Sequence, residues 1–230
     1  FINNGGTLKL SYNNIGNYEV TGQAWNGVTA GNDGIKTVER AIKRAFDLIS
    51  SILVLILLSP VFLVTAIAIH REDGGPVFYR QERCTVGGKR FMIIKFRSMC
   101  ADAENDGPML SSDGDPRITA FGKFMRQYRL DETPQFFNVL RGDMSLVGYR
   151  PERQYYIDQI MERAPYYHLL LGIKPGITSW GQVRFGYAEN IDEMIERLRW
   201  DILYIENMSL LMDVKILIYT ILIILKREGK

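Results

Sequence analysis

The stretch SSILVLILLSPVFLVTAIAIH, Ser50 to His70, constrains this chain most. The apolar run from Phe46 to Ile69 is about 24 residues, roughly 36 Å as a straight helix, enough for a bilayer core of about 30 Å. Pro60 complicates a simple span, because it removes one backbone hydrogen bond and crowds the preceding turn. The halves on either side of Ser59-Pro60 are about 20 Å and 14 Å long, and neither crosses alone. Arg40, Lys43 and Arg44 precede the run; Arg71, Arg80, Arg83, Lys89 and Arg90 follow it. Positive residues favour the cytoplasmic side, and here both ends ask for that side. Two readings stay open on charge alone. One is a helix that enters a single leaflet, bends at Ser59-Pro60 and returns, with Ser59 bonding a carbonyl freed at the bend. The other is a kinked spanning helix.

The remaining composition excludes more than it selects. A net charge of +2 over 230 residues leaves no general nucleic-acid footprint. Cys84 and Cys100 suggest neither a disulfide framework nor a metal cluster, and a reduced cytoplasmic setting is the default. His70 and His168 are too far apart in sequence for a histidine zinc site to be expected. No cleavable signal peptide is visible. The chain begins at Phe1, as a fragment, a processed form or part of a longer protein would.

Three regions follow from patterning: a leader, residues 1–36; the interfacial and membrane helix, 37–73; and the remainder, 74–230, which the resemblance given below makes the catalytic domain. In the Asn- and Gly-rich leader, TLKLSY and NYEVTGQAW flank NNIGN as a hairpin would, although poor order is the favoured expectation. KTVERAIKRAFDL predicts an interfacial helix with Glu39, Arg40, Lys43 and Arg44 on its polar face. Val77–Gln81 and Arg90–Phe96, around Gly87-Gly88, predict a β-hairpin. ITAFGKFMRQYRL predicts a helix. TPQFFNVLRGD predicts another, capped by Thr133 and ended at Gly142. A helix broken before Pro165, a Gly-rich loop over IKPGITSWGQVRFGY and an amphipathic helix over NIDEMIERLRWDILYIENM come next. The tail, LLMDVKILIYTILIIL, is too short to span; it reads as a packing helix or as one lying on the membrane surface.

The strongest local feature is RLDETPQ. Asp131 and Glu132 are adjacent acids at the start of a helix, where unpaired N–H groups favour carboxylates and phosphates alike. Capping alone would explain one of them. Around them in sequence lie Lys95, Arg97, Arg117, Lys123, Arg126, Arg129, Arg150 and Arg153. An acid pair among cations is what phosphoryl transfer requires: cation clamps, a metal ligand and a nucleophile. There is no P-loop and no Ser or Cys nucleophile elbow.

The segments GPVFYRQERCTVGGKRFMIIKFRSM, DPRITAFGKFMRQYRLDETPQFFNVLRGDMSLVGYRPE and KPGITSWGQV, in that order, resemble the bacterial sugar transferase family of monotopic polyprenyl-phosphate phosphoglycosyl transferases. The likeness runs from about Lys36 to the C-terminus. It implies an α+β, mainly helical fold with a re-entrant membrane helix hairpin bent at Ser59-Pro60, amphipathic interfacial helices and a small β-hairpin, on the cytoplasmic face of the bacterial inner membrane. It also implies transfer of a sugar 1-phosphate from a UDP-sugar to undecaprenyl phosphate with Mg²⁺, releasing UMP, as the first membrane step of exopolysaccharide, capsule or O-antigen synthesis. By resemblance, Asp131 is the nucleophile, Glu132 the Mg²⁺ ligand, Lys95 and Arg126 hold the diphosphate, and Arg150 matches the Arg of the family's Pro-Arg-Pro as a phosphate-binding residue; Arg97 and Arg117 from the basic set, and Arg184 as a substitute in QVRFGY, are further phosphate-binding candidates. Three departures stand out: Tyr149 where the family has Pro, Arg129 where a small residue is usual, and QVRFGY in place of Asn-Gly-Arg. Larger members carry an N-terminal membrane domain, of which the leader would be a remnant. Membrane lipid is an expected partner, nucleic acid is not, and the apolar segments offer surface for a homodimer. The competing reading is a non-catalytic monotopic scaffold for glycan machinery.

Overall fold

The computed structural model describes residues 10–12, 18–20 and 37–226, except 101, 104–106, 108 and 113. In the leader, β1 (Leu10–Tyr12) pairs antiparallel with β2 (Tyr18–Val20), Leu10 opposite Val20. The hairpin read there forms; the rest of the leader, and with it the expectation of poor order, lies outside the described residues.

One helix, α1 (Thr37–Asp73), carries the apolar run, with Pro60 inside it. The proline has no N–H for the carbonyl of Ile56, and the hydroxyl of Ser59 donates to that oxygen instead, at 2.8 Å. The Ser-Pro pair therefore replaces the bond that it removes. Most of the surface of α1 is uncovered: Ile49, Ile52, Leu53, Ile56, Leu57, Leu63, Val64 and Ile67 are all exposed. A narrow stripe is not. Asp47, Ser51, Thr65 and Ile69 are buried, at spacings of four, fourteen and four that keep to one helix face.

Both ends of α1 are tied to the same folded body. Near its start, Lys43 Nζ donates to Val147 O at 3.0 Å and pairs with Asp213 at 2.6 Å. Asp47 accepts from Ser145 Oγ at 2.7 Å and from the Leu146 amide at 3.2 Å. At its other end Asp73 pairs with Arg97, and Glu72 accepts from the Phe121 amide at 3.2 Å. Phe62 meets Phe96 edge-on, with ring centroids 5.0 Å apart.

The body begins with the predicted hairpin. β3 (Phe78–Cys84) and β4 (Arg90–Phe96) pair antiparallel over seven residues each, from Phe78↔Phe96 to Cys84↔Arg90. The first strand runs three residues beyond its expected end. α2 (Ala120–Gln127) is capped by the Thr119 hydroxyl, which accepts from the Gly122 amide. α3 (Gln135–Arg141) ends at Gly142 in the left-handed conformation, φ 92°, as expected. Thr133 does not cap it. Leu130–Glu132 form a separate 3-10 turn, and the Thr133 hydroxyl turns back to donate to Leu130 O at 2.7 Å. The acid pair thus has its own turn ahead of the helix.

The expected Gly-rich loop is another correction. Its first part is β6 (Gly176–Thr178), which pairs in parallel with β5 (Ser145–Val147), and its second is the short helix α5 (Trp180–Arg184). The glycines permit close pairing: a Cβ on Gly176 would lie 2.1 Å from the Gly148 amide nitrogen. α4 (Gln154–Arg163), a 3-10 stretch over Pro165–Gly172, α6 (Ile191–Glu206) and α7 (Leu210–Leu225) complete the chain. The main core packs Phe91 and Ile93 of the hairpin with Val147, Ile157, Ile160, Leu198 and Ile202. A smaller cluster of Ile69, Phe96 and Met125 fastens the end of α1 to β4 and α2. α7 leaves Leu211, Val214, Ile218, Ile221, Leu222 and Leu225 exposed.

Candidate active site

Arg129 is the only non-glycine residue with positive φ (53°) among the described residues. This left-handed residue ends the run from α2 and turns the chain into the 3-10 turn that carries Asp131 and Glu132. Left-handed backbone costs a non-glycine residue of order 1 kcal/mol or more, and such strain collects where a fixed geometry is needed. Both acids are buried, Asp131 at 7 % and Glu132 at 4 % exposure. They line a cavity of about 290 Å³ between the hairpin, the segment after β4, the turn and the start of α4.

The two carboxylates have opposite surroundings. Glu132 Oε1 accepts from Lys95 Nζ at 2.8 Å and from the Arg150 guanidinium at 3.1 Å, while Arg129 stands 3.7 Å from Oε2. Burial works against its ionisation, but Lys95, Arg150 and Arg129 outweigh it and hold Glu132 well below the usual carboxylate range. Among the described residues no hydrogen bond or ion pair reaches the Asp131 carboxylate. Burial and then the charge of Glu132 push its pKa up, against the pull of Lys95, Arg126 and Arg150. One acid is clamped as an anion; its neighbour is desolvated and uncommitted.

Supporting groups fix the clamp. The ring of Tyr187 contacts two guanidiniums, Arg129 at 5.2 Å and Arg150 at 5.4 Å from its centroid. Arg126 is held by the hydroxyls of Ser98, 2.9 Å, and Ser111, 2.8 Å. Beneath them Glu152 joins Arg83, 3.1 Å, to Arg197, 2.5 Å. In all, seven cationic side chains and three carboxylates line the cavity. That excess of four positive charges suits an anionic ligand in a partly dry site.

Of the residues singled out in the sequence, Asp131, Glu132, Lys95, Arg126, Arg97 and Arg150 meet in this cavity. Arg97 is occupied there by the Asp73 carboxylate at the end of α1. Arg117 and Arg184 are not among its lining residues. Arg117 folds onto Asp115, at 2.6 Å, and onto the Leu110 and Ala103 carbonyls. Arg184 packs its guanidinium over Trp180 and Trp200, 5.3 Å from each ring. Sequence reading missed Tyr187 and the Glu152 pairing, since nothing local announces a contact between residues so far apart.

The residues present suit Mg²⁺. That ion is commonly held by one or two carboxylates together with substrate phosphates rather than by an all-protein cage. Asp131 and Glu132 supply two such carboxylates, and no larger cluster of metal-ligating side chains occurs among the described residues.

Comparison with known proteins accords with this architecture. The family model for bacterial sugar transferases matches residues 38–227, and the chain belongs to that family. It is similar to the UDP-N-acetylgalactosamine-undecaprenyl-phosphate N-acetylgalactosaminephosphotransferase of Aeromonas hydrophila, 45 % identical over 82 % of this chain and 44 % of that protein. It is also similar to the UDP-glucose:undecaprenyl-phosphate glucose-1-phosphate transferase of Escherichia coli (strain K12), 40 % identical over 80 % of this chain and 40 % of that protein. The undecaprenyl-phosphate galactose phosphotransferase of Salmonella typhimurium is 37 % identical over 86 % of this chain and 43 % of its own length. The chain thus spans less than half of each of these three relatives.

Proposed function

We propose that this chain transfers a sugar 1-phosphate from a UDP-sugar to undecaprenyl phosphate, releasing UMP, at the cytoplasmic face of the bacterial inner membrane. The observation that carries the reading is the contrast inside one cationic cavity: an unpaired, desolvated Asp131 beside a Glu132 clamped by Lys95 and Arg150.

In the first step an Asp131 oxygen attacks the phosphorus bonded to the sugar. The bond from that phosphorus to the bridging oxygen breaks, and UMP leaves with the oxygen and its electron pair. A sugar phosphate remains on Asp131 as a mixed anhydride. In the second step a phosphate oxygen of undecaprenyl phosphate attacks the same phosphorus, and the carboxylate departs. Every reactant is anionic, so repulsion is the chief obstacle; Lys95, Arg126 and Arg150 offset it. Mg²⁺, held by Glu132 with Asp131 alongside, would neutralise charge on the diphosphate.

Membrane geometry supports the same reading. Helix α1 exposes apolar side chains along most of its length, yet both of its ends dock on one body. A helix that crossed the bilayer would part its ends by the full membrane thickness. Insertion into one leaflet leaves both ends, and Asp131 with them, at the depth of the lipid's phosphate. The three relatives named above act on different sugars by name, so the sugar is a question for a panel.

The test is UMP release from labelled UDP-sugars with and without undecaprenyl phosphate. Asp131→Asn should abolish release and the covalent sugar-phosphate adduct seen by mass spectrometry. Near-normal turnover in that variant would refute the assignment. Full-rate turnover without lipid would indicate a hydrolase, and Mg²⁺-dependent UDP-sugar binding without product would indicate the scaffold.

A further inference from the structure

A second cavity, of about 310 Å³, lies away from the acid pair, beneath the first turns of α1. Arg40 and Arg44 of α1, Lys174 ahead of β6, and the apolar Val86, Val147 and Ile173 form much of its wall. Two of the other charged groups there are already satisfied. Lys43 is neutralised by Asp213 at 2.6 Å, and the Asp47 carboxylate is taken up by Ser145 and the Leu146 amide. Arg44 donates to the last carbonyls of α3, Val139 O at 2.7 Å and Leu140 O at 3.2 Å.

Lys174 is different. It is only partly exposed, and among the described residues no hydrogen bond or ion pair reaches its ammonium group. A Cβ placed on Gly142 would lie 3.6 Å from Arg44 Nη2 and 3.7 Å from Lys174 Nζ, so the two cations flank one point. Burial, then the charge of Arg44, lowers the Lys174 pKa, against the pull of the Asp47 and Asp143 carboxylates. Two like charges that line one half-buried cavity and converge near Gly142 repel each other, and an anion held between them relieves that repulsion.

The surroundings indicate where that anion comes from. Val38, Ile42 and Phe46, on the same turns of α1, are exposed apolar side chains. Apart from the charged groups, Ser145 and Tyr204, the cavity walls are apolar. Basic pockets at the membrane surface are suited to lipid headgroups. We infer that this cavity binds the phosphate of an anionic membrane phospholipid between Lys174 and Arg44. The inference rests on the membrane placement of α1 but not on the transferase chemistry.

The experiment is a binding measurement, so its failure and the failure of the transferase reading are distinguishable. The full chain, in micelles of a neutral detergent, is titrated with short-chain phosphatidylglycerol, short-chain phosphatidylcholine or inorganic phosphate, and the thermal midpoint gives the apparent affinity. The chain should prefer phosphatidylglycerol over phosphatidylcholine by about tenfold, the size of one charge-assisted contact. Lys174→Gln should lose that preference and Lys174→Arg should keep it. A wild-type chain without the preference, or a Lys174→Gln variant that retains it, would overturn the inference. Inorganic phosphate matching phosphatidylglycerol at equal concentration would overturn the lipid as the source and leave a free-phosphate site.

Discussion

Lys95 Nζ meets Glu132 Oε1 at 2.8 Å, joining the middle of the hairpin to the turn that bears the acid pair. Glu132 is buried and Lys95 is largely so, and the pair serves the site more than it serves stability. Removing the cation leaves Glu132 charged in a dry environment with Arg150 and Arg129 as its remaining partners. Lys95→Met should therefore cost about 3 kcal/mol of stability and at least about 100-fold in kcat/KM. Denaturant melts and UMP-release kinetics on the same preparations check the two effects. A variant of full activity would remove Lys95 from the mechanism.

The state of Asp131 gives a pH expectation. Burial and Glu132 raise its pKa, so at mildly acid pH more of it is protonated than of an ordinary aspartate with a pKa of about 3.9. In the proposed mechanism Asp131 attacks as the ionised carboxylate. Activity should thus fall as pH drops through a value above the ordinary one, with kcat/KM reporting the free enzyme. Lys95→Met removes one of the charges that lower this pKa and should move the acid limb to higher pH. An unchanged limb would detach it from Asp131.

Arg129 combines a strained backbone with two side-chain contacts, Glu132 and Tyr187. Replacement by Ala loses the contacts and keeps the strain; replacement by Gly loses the contacts and releases it. Arg129→Gly should be the more stable of the two by about 1 kcal/mol, with both variants similarly impaired in turnover. Equal melting midpoints would show that the left-handed backbone is not strained.

Residues with local signatures were legible in the sequence. Glycine punctuation and alternation located the hairpin, Gly142 ended α3 as expected, and α6 followed its amphipathic period. The acid pair stood out beside Thr133-Pro134. What failed was long-range. Three-residue strands such as β5 and β6 are too short for a pattern, and their glycines, needed for close parallel pairing, look like loop residues. Arg117 and Arg184 look in sequence like the arginines that line the cavity, yet they pack against Asp115 and against two tryptophan rings. Which cation faces a cavity depends on tertiary partners that spacing does not encode. Thr133 shows a local rule overridden: its backbone is helical (φ −61°, ψ −28°) rather than extended as an N-cap's is, and its hydroxyl donates to Leu130 O instead.

The Ser59-Pro60 pair predicts a coupling. With Pro60 present, Ser59→Ala leaves the Ile56 carbonyl without its 2.8 Å partner. In lipid an unpaired backbone carbonyl is costly, about 1–3 kcal/mol by mutational measures. In a Pro60→Ala background the backbone N–H returns, and the same serine change should cost little. The double-mutant cycle should give a coupling of about 1 kcal/mol or more, read from protease resistance of the reconstituted chain. Additive effects would mean that the hydroxyl does not substitute for the missing bond.

Asp201, one contact removed from the cavity through Arg197, offers a pH test that reads stability rather than turnover. Burial raises its pKa to about 6, although it accepts from the Gly181 amide at 2.8 Å and faces Arg197. In the unfolded chain it titrates near 3.9. Between those values the folded state holds more protons than the unfolded one, so stability falls as pH rises through the window and levels off above about 6. Two units correspond to about 2.7 kcal/mol, an upper figure because Arg197 and the amide tighten as the carboxylate charges. Asp201→Asn keeps an acceptor for the Gly181 amide and cannot ionise. Its stability relative to the parent should therefore rise between pH 4 and pH 6 and stay flat above, measured by paired denaturant melts across that range. A difference independent of pH would place the Asp201 carboxyl group in the same protonation state folded and unfolded, and would remove burial as a force on it.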